Sequence, residues 1–375
     1  MMADKQNMIE KCNEINNLHE ETQKKAREFE EERRKFEEMK KKFFANVQQK
    51  GGNMGDLKDE VDLKVFYTGQ KSGSTELTPM KKVKMHENEI YAMAEAYQGD
   101  VIATCGGDGF IKFYDPARTT PFLSLKSPQK GQVMTAISFG FDNDLFVSGS
   151  ADKLVYIWSI STQRLKSTLV GHADRVSSVC FVKDMTRIVS GSHDRSIKIW
   201  DVAKGCISKT IMCGSSCNSV KVTGDKTRII SGHYDGSVKV YSTKTGELIR
   251  AFKDLHEASI TSVVLDFEGN LVLTSSKDNT LKMIDLRMEK ALNYSFRHDE
   301  YFNPLEYNTV CFANYGQSVA AGSSDGKLFL WDPETGKLQH ILNGGNKGGI
   351  TGTCYSIISG NLYTSDASGN IVVWS

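Results

Sequence analysis

The sequence predicts an all-β, seven-bladed β-propeller preceded by an N-terminal α-helical coiled coil. Three observations carry this reading. A turn-and-strand unit, clearest at Gly191–Asp201 (GSHDRSIKIWD), recurs along most of the chain. Its turn positions, Asp108, Asp152, Asp194, Asp235, Asp278, Asp325 and then Ser368, step by 44, 42, 41, 43, 47 and 43 residues. A repeat of roughly 40–45 residues is one four-stranded blade. The third observation is a composition break near residue 46, ahead of all seven copies.

Residues 1–46 contain no Gly or Pro and are rich in Glu and Lys. Phe29, Phe36 and Phe43 fall seven apart and share a heptad position with Ile15. Leu18 and Met39 occupy the partner position. These six residues form the expected coiled-coil seam. Glu21/Lys25 and Glu31/Lys35 add support at four-residue spacing. The open alternatives are a solvated single helix, a parallel homodimer and a docking helix for another protein. Residues 47–79 carry GGNMG and TGQKSGST, a flexible linker composition.

The propeller is expected over 80–375. In each unit a polar turn leads into alternating apolar residues such as Ile197 and Ile199. Six positions after the turn residue stands Tyr114, Trp158, Trp200, Tyr241, Ile284, Trp331 or Trp374. A single blade cannot bury both its faces, so the copies must stack in a ring. The last copy ends one residue after Trp374, before any fourth strand. The missing strand is expected from Met80–Met85 (MKKVKM), paired antiparallel with the strand that ends at Trp374.

His86, His172 and His256 each lie 22 residues before their aspartates, Asp108, Asp194 and Asp278. Thr104, Ser190 and Thr274 lie four before them, and Trp200 completes the set in the third copy. One such set would suggest a nucleophilic triad. Partial copies in several blades point instead to a structural network that satisfies buried polar groups. No phosphate-binding loop, paired carboxylates or metal-ligand spacing accompanies it. Gly344–Gly349 is glycine-rich but precedes a strand, and the Asp142–Asp144 cluster reads as a turn. No cofactor, no metal and no catalytic residue is expected. The formal charge of +1 gives no case for nucleic acid. Eight scattered cysteines and the lack of an apolar run near ~18 residues predict a soluble, cytoplasmic protein.

The Trp, Asp and His pattern resembles the WD-repeat (WD40) family. GHADRVSSVCF, RIVSGSHDRSIKIWD, SGHYDGSVKVY and LTSSKDNTLKMIDLR narrow the match. Together with the long connection containing EYFNPLEY, they resemble the C-terminal propeller of the autophagy-related protein 16 family. The resemblance covers about residues 80–375. It implies a non-enzymatic scaffold that dimerises through its coiled coil. It also implies binding of autophagy-related protein 5 conjugated to ubiquitin-like protein 12. That assembly directs attachment of ubiquitin-like protein 8 to phosphatidylethanolamine, with peripheral recruitment to autophagosome precursors or other single membranes. An exposed aromatic that serves some members corresponds to Tyr234, and a cooperating lysine is replaced here by Ser259. The family sets a basic, protein 5-binding helix before a longer coiled coil. In the short helix here one segment serves both roles or one role is lost. A general WD-repeat adaptor for vesicle traffic, ubiquitin ligation or signalling is the alternative. Binding is expected on the face where loops between and within blades emerge, at His193, Arg195, Tyr234, Ser259 and Lys277.

Overall fold

A computed structural model of the chain describes residues 77–375, apart from 98–100, 117–119, 130, 143, 267, 289, 344 and 347. The expected coiled coil and its seam (Ile15, Leu18, Phe29, Phe36, Met39, Phe43) lie outside the described residues, as does the linker up to residue 76.

Seven antiparallel sheets of four strands make a ring. Six blades are contiguous in sequence, at 90–126, 134–169, 176–212, 217–252, 260–296 and 311–342. Strands are denoted a to d, from the axis outward. Burial is greatest in the two middle strands and least in the outermost one. The third-blade c strand, Ser196–Asp201, is buried at every position but the last, because neighbours cover both its faces. The d strand beside it, Cys206–Met212, is mostly exposed and carries Ser208 and Lys209. Lys198 is only 8% exposed, and its ammonium donates to Thr210 at 3.0 Å.

The apolar core is divided among the interfaces between blades. One cluster joins Val147, Val155 and Ile157 of the second blade to Val176, Val179 and Ile188 of the third. Equivalent clusters fill the other six interfaces. In four blades a glycine at the end of the b strand, Gly149, Gly191, Gly232 or Gly322, permits close approach. A Cβ on Gly232 would stand 2.5 Å from Ile260 Cγ2 of the following blade. The second, third, fourth and sixth blades thus receive the first a-strand side chain of the next, Val176, Cys217, Ile260 and Ile350, and no blade has a complete core alone.

The seventh blade joins both ends of the ring. Its a, b and c strands are Ile350–Tyr355, Leu362–Asp366 and Asn370–Trp374, and Pro79–Lys84 supplies the fourth. The pairing is antiparallel, with Val83 opposite Ile371 and Lys84 opposite Asn370. Val83 and Met85 enter a cluster with Tyr114, Tyr363, Ile371 and Val373. The Lys82 ammonium lies 3.2 Å from Asp366, which is fully buried.

Two details correct the sequence reading. Thr78 and Ser375 exchange backbone hydrogen bonds of 3.0 and 3.2 Å, so Thr78 and Pro79 belong to the ring rather than the linker. The backbone needs a partner to the very end of the last strand. Ser368 does not take over the aspartate's role either. Asp366, two positions earlier, accepts from the amides of Ser368 and Asn370 at 3.0 and 2.9 Å.

Removal of Met80–Met85 is expected to lower the thermal midpoint of the whole ring in one cooperative transition, because it opens a strand edge and an interface together. Calorimetry on the deletion variant checks this, and an unchanged midpoint would contradict it.

Candidate binding face

The polar network is built three times around a histidine. His172 Nδ1 lies 2.7 Å from Asp194, and Nε2 lies 2.7 Å from the Ser190 hydroxyl. Trp200 Nε1 donates to the same hydroxyl at 2.8 Å. The Ser190 hydroxyl is then the donor to Nε2, and Nδ1 donates to the carboxylate. His86 repeats the pattern with Asp108 and Thr104, at 2.8 and 2.9 Å. His256 does so with Asp278 and Thr274, both at 2.9 Å. The connectivity matches a nucleophilic triad, yet Ser190 is 0% exposed and its oxygen already accepts the indole proton. No substrate carbonyl can reach it.

Each carboxylate also closes its turn. Asp194 accepts from the amides of Ala173 and Ser196, both at 2.9 Å. Burial works to raise the Asp194 carboxyl. The Ser196 hydroxyl, the Ala173 amide and His172 outweigh that and hold it below the ordinary carboxylate range. Burial lowers His172 despite Asp194 beside it, so the ring stays neutral near pH 7.

Other blades vary the theme. Blades two and seven lack the histidine at this spacing but keep the indole bond, Trp158 to Ser148 and Trp374 to Thr364, both 2.9 Å. The fourth blade uses His233, which lies 2.8 Å from Ser231. The 22-residue spacing points to Cys213 there and so misses His233. Burial, with Lys239 nearby, pushes His233 down to about 4. In the sixth blade Ala321 occupies the hydroxyl position, and the buried Trp331 Nε1 has no partner. Among the described residues, no group of three or more His, Cys, Asp or Glu side chains could hold a metal ion.

The mouth of the ring gathers the turns that follow these aspartates. In the first six blades the residue after the turn carboxylate has positive φ; Gly109, Gly236, Gly326 and Asn279 suit it, and Lys153 holds it at 74°. Arg195 holds the same conformation at φ 65°. It lines a cavity of about 400 Å³ between the third and fourth blades, with Arg175, His193, Ser216, Tyr234 and Glu306. Tyr234 stands 59% exposed on its rim.

The connector before the sixth blade spans this mouth. Its Glu306 accepts from Arg175 of the third blade at 2.6 Å and from Lys277 of the fifth at 3.2 Å. Tyr307 donates to Glu89 at 2.6 Å and packs on Tyr91 of the first blade, ring centroids 4.6 Å apart. Asn308 donates to Gly322 of the sixth blade, and Thr309 donates to Thr351 of the seventh. Tyr301 anchors the other end against Trp331, edge to face at 5.4 Å.

Of the five surface candidates, His193, Arg195 and Tyr234 meet in one cleft. Lys277 joins them through Glu306. Ser259 does not present its side chain. It is 6% exposed, tucked beneath the turn where its carbonyl accepts from the Lys277 amide. Arg175 and Glu306 were missed by sequence reasoning. Their only trace was the longest repeat step, 47 residues, with EYFNPLEY inside it.

Known proteins share this grammar. The WD domain, G-beta repeat family matches residues 77–115, 120–159, 163–201, 206–242, 246–285 and 303–332. The chain is 30% identical to protein tipD of Dictyostelium discoideum over 77% of its own length and 47% of that protein. It is 27% identical to autophagy-related protein 16 of Arabidopsis thaliana over 80% of its length and 58% of that protein. With autophagic-related protein 16.2 of Caenorhabditis elegans the values are 29%, 70% and 49%. The chain is a WD-repeat protein of the autophagy-related protein 16 family. It spans about half the length of these relatives. The seventh blade escapes the repeat match, as its displaced carboxylate at Asp366 would suggest.

Asp194→Ala is expected to cost about 1–3 kcal/mol by stranding its buried donors, and Ala321→Ser to gain about 1 kcal/mol by giving Trp331 a partner. Denaturant unfolding of both variants measures the two signs. Acid adds a third test. The unfolded His233 imidazole takes a proton near its ordinary value of 6.5, the folded one only near 4. The folded value is depressed, so this contribution is complete above about 6.5 and lost as pH falls towards 4. The loss is on the order of 3 kcal/mol. Thermal midpoints between pH 7.5 and 4 should fall accordingly, and less steeply for His233→Gln.

Proposed function

We propose that this chain is a non-enzymatic scaffold of the autophagy conjugation machinery. It recruits autophagy-related protein 5 conjugated to ubiquitin-like protein 12 and directs lipidation of ubiquitin-like protein 8 to a chosen membrane. Membership of the protein 16 family, over more than two thirds of the chain, is the observation that carries this reading. A rigid ring with an exposed tyrosine and a polar cleft at its mouth suits peptide capture. In this reading the segment 1–46 dimerises or holds the conjugate, and the propeller selects the site in the cytoplasm where lipidation occurs. No helix among the described residues is long and apolar enough to cross a membrane. In this reading recruitment proceeds through partners and peripheral contact.

Cells lacking the chain should lose lipidation of ubiquitin-like protein 8, and restoring it should recover the lipidated band on an immunoblot. Tyr234→Ala should keep the ring's thermal midpoint yet weaken membrane recruitment several-fold, because the side chain is exposed and touches no core cluster. Recruitment at the unmodified level would remove Tyr234 from the docking surface.

A further inference from the structure

We propose that the face opposite the mouth carries a contact for a second copy of this chain. It spans the sixth, seventh and first blades, where Tyr315, Ile357, Ile358 and Tyr97 stand exposed. This goes beyond the scaffold reading, and its failure would leave that reading untouched.

The first argument is a break in the repeat. On this face each a strand turns into its b strand. In blades two to five an aspartate closes that turn. Asp142, Asp184 and Asp225 accept from the amide two residues on, at 3.1, 3.0 and 3.0 Å, and Asp266 accepts from Asn270 at 2.7 Å. The corresponding links of the sixth and seventh blades, 314–317 (NYGQ) and 356–361 (SIISGN), hold no charged residue. The first-blade link, 96–101, carries Tyr97 and one acid, Asp100. Large apolar groups stand in this sector instead, with Ile358 56% exposed and Tyr97 51%. Leu165, Ile207 and Leu248 are exposed too, but they lie opposite Trp158, Trp200 and Tyr241 in register and so belong to the repeat.

The second argument is how the rings are held. Tyr315 lies in the left-handed region at φ 54° and ψ 35°, between Asn314 at φ 49° and Gly316 at φ 86°. A tyrosine is disfavoured there, so this turn presents its ring at the cost of local strain. The ring packs edge to face on Tyr355 of the seventh blade, centroids 5.7 Å apart. Tyr97 stacks on Phe141 of the second blade at 3.9 Å. Each exposed ring thus leans on the following blade and is ordered before a partner arrives, which lowers the entropic cost of association.

The third argument selects the occupant. A two-fold contact sets a patch against itself, so the patch must tolerate its own charges. The uncharged links of the sixth and seventh blades meet a copy of themselves without repulsion. Elsewhere on this face the turn aspartates, with Lys183 and Lys226 beside two of them, favour water or a partner of matched charge. The chain also enters the ring here. Leu77 packs in the cluster that holds Tyr355 and Trp374, and 76 residues precede it. Any pairing of that leading segment between two chains raises the concentration of one sector at the other. So few side chains fall short of the ~800 Å² per partner that a standard interface buries. The contact is therefore weak alone and forms between chains already joined.

The test uses the full chain, as a mixture of ordinary and heavy-isotope-labelled molecules, with a benzophenone amino acid in place of Tyr97 or, separately, of Tyr315. Irradiation should yield crosslinked peptides of mixed isotope that join either position to residues 95–97, 314–317 or 355–361 of the other molecule. Ile358→Asp should lower that yield about tenfold at an unchanged thermal midpoint, because it forces a carboxylate into an apolar contact. Gln317→Glu adds a charge at an exposed position of the sixth-blade link, should act in the same direction, and decides the matter should Ile358→Asp melt early. The proposal is overturned by the lack of mixed-isotope pairs from both positions, by pairs that fall on the mouth or the outer strands, or by an undiminished yield in the folded variants. Two further outcomes overturn it by naming another occupant. Single-isotope pairs to residues 1–76 would give the face to the chain's own leading segment. Lipid adducts that replace the protein pairs when phosphatidylcholine–phosphatidylserine vesicles are added would give it to a membrane.

Discussion

Every blade in this ring depends on having a neighbour on each side. The apolar clusters lie between blades, so six stacked sheets would leave two raw faces and seven must meet. The pairing of Pro79–Lys84 with Asn370–Trp374 is what makes them meet. It joins the first described strand to the last, over the longest possible stretch of chain. Such a contact closes at an entropic cost, which the cluster around Val83 and Tyr363 offsets. The buried Asp366 and the Lys82 ammonium give the seam a polar register that a slipped strand would lose.

Within blades, polar contacts fix what apolar packing leaves loose. His172 ties the loop that enters a blade to the turn in the middle of it, and Trp200 fastens that pair to the sheet. Where one member is missing, the structure shows the vacancy directly. The Tyr114 hydroxyl and Trp331 Nε1 are buried without partners. Copies of one unit therefore differ in how completely their polar groups are satisfied, and the third blade is the most complete.

The fold was legible because a blade is local. Turn, strand and aromatic lie within about ten residues, and the spacing of Asp152, Asp194 and Asp235 reveals each blade in turn. The closing strand was legible for the same reason, as a copy lacking its fourth part. The cleft was legible only in part. His193, Arg195 and Tyr234 sit at fixed offsets from turn aspartates, so the repeat predicts their placement. Arg175 and Glu306 meet from 131 residues apart, and no local pattern encodes that. Ser259 shows the reverse failure. Its position in the repeat is right, but a loop folded under its neighbour's turn hides the side chain. Asp366 escaped because a repeat was read by column, whereas the turn needs only a carboxylate within reach of two amides.

Thr78 and Ser375 lie one hydrogen bond apart. A circle whose loose ends touch has no privileged starting point. Linking those ends and cutting elsewhere should give a circular permutant with the same ring and a relocated seam. The cut would be tolerated at most inter-blade links and resisted at one. Severing the span from Tyr301 to Thr309 would remove the strut that reaches the first, third, fifth and seventh blades at once. The molecule is thus interchangeable around its circumference and singular across its diameter.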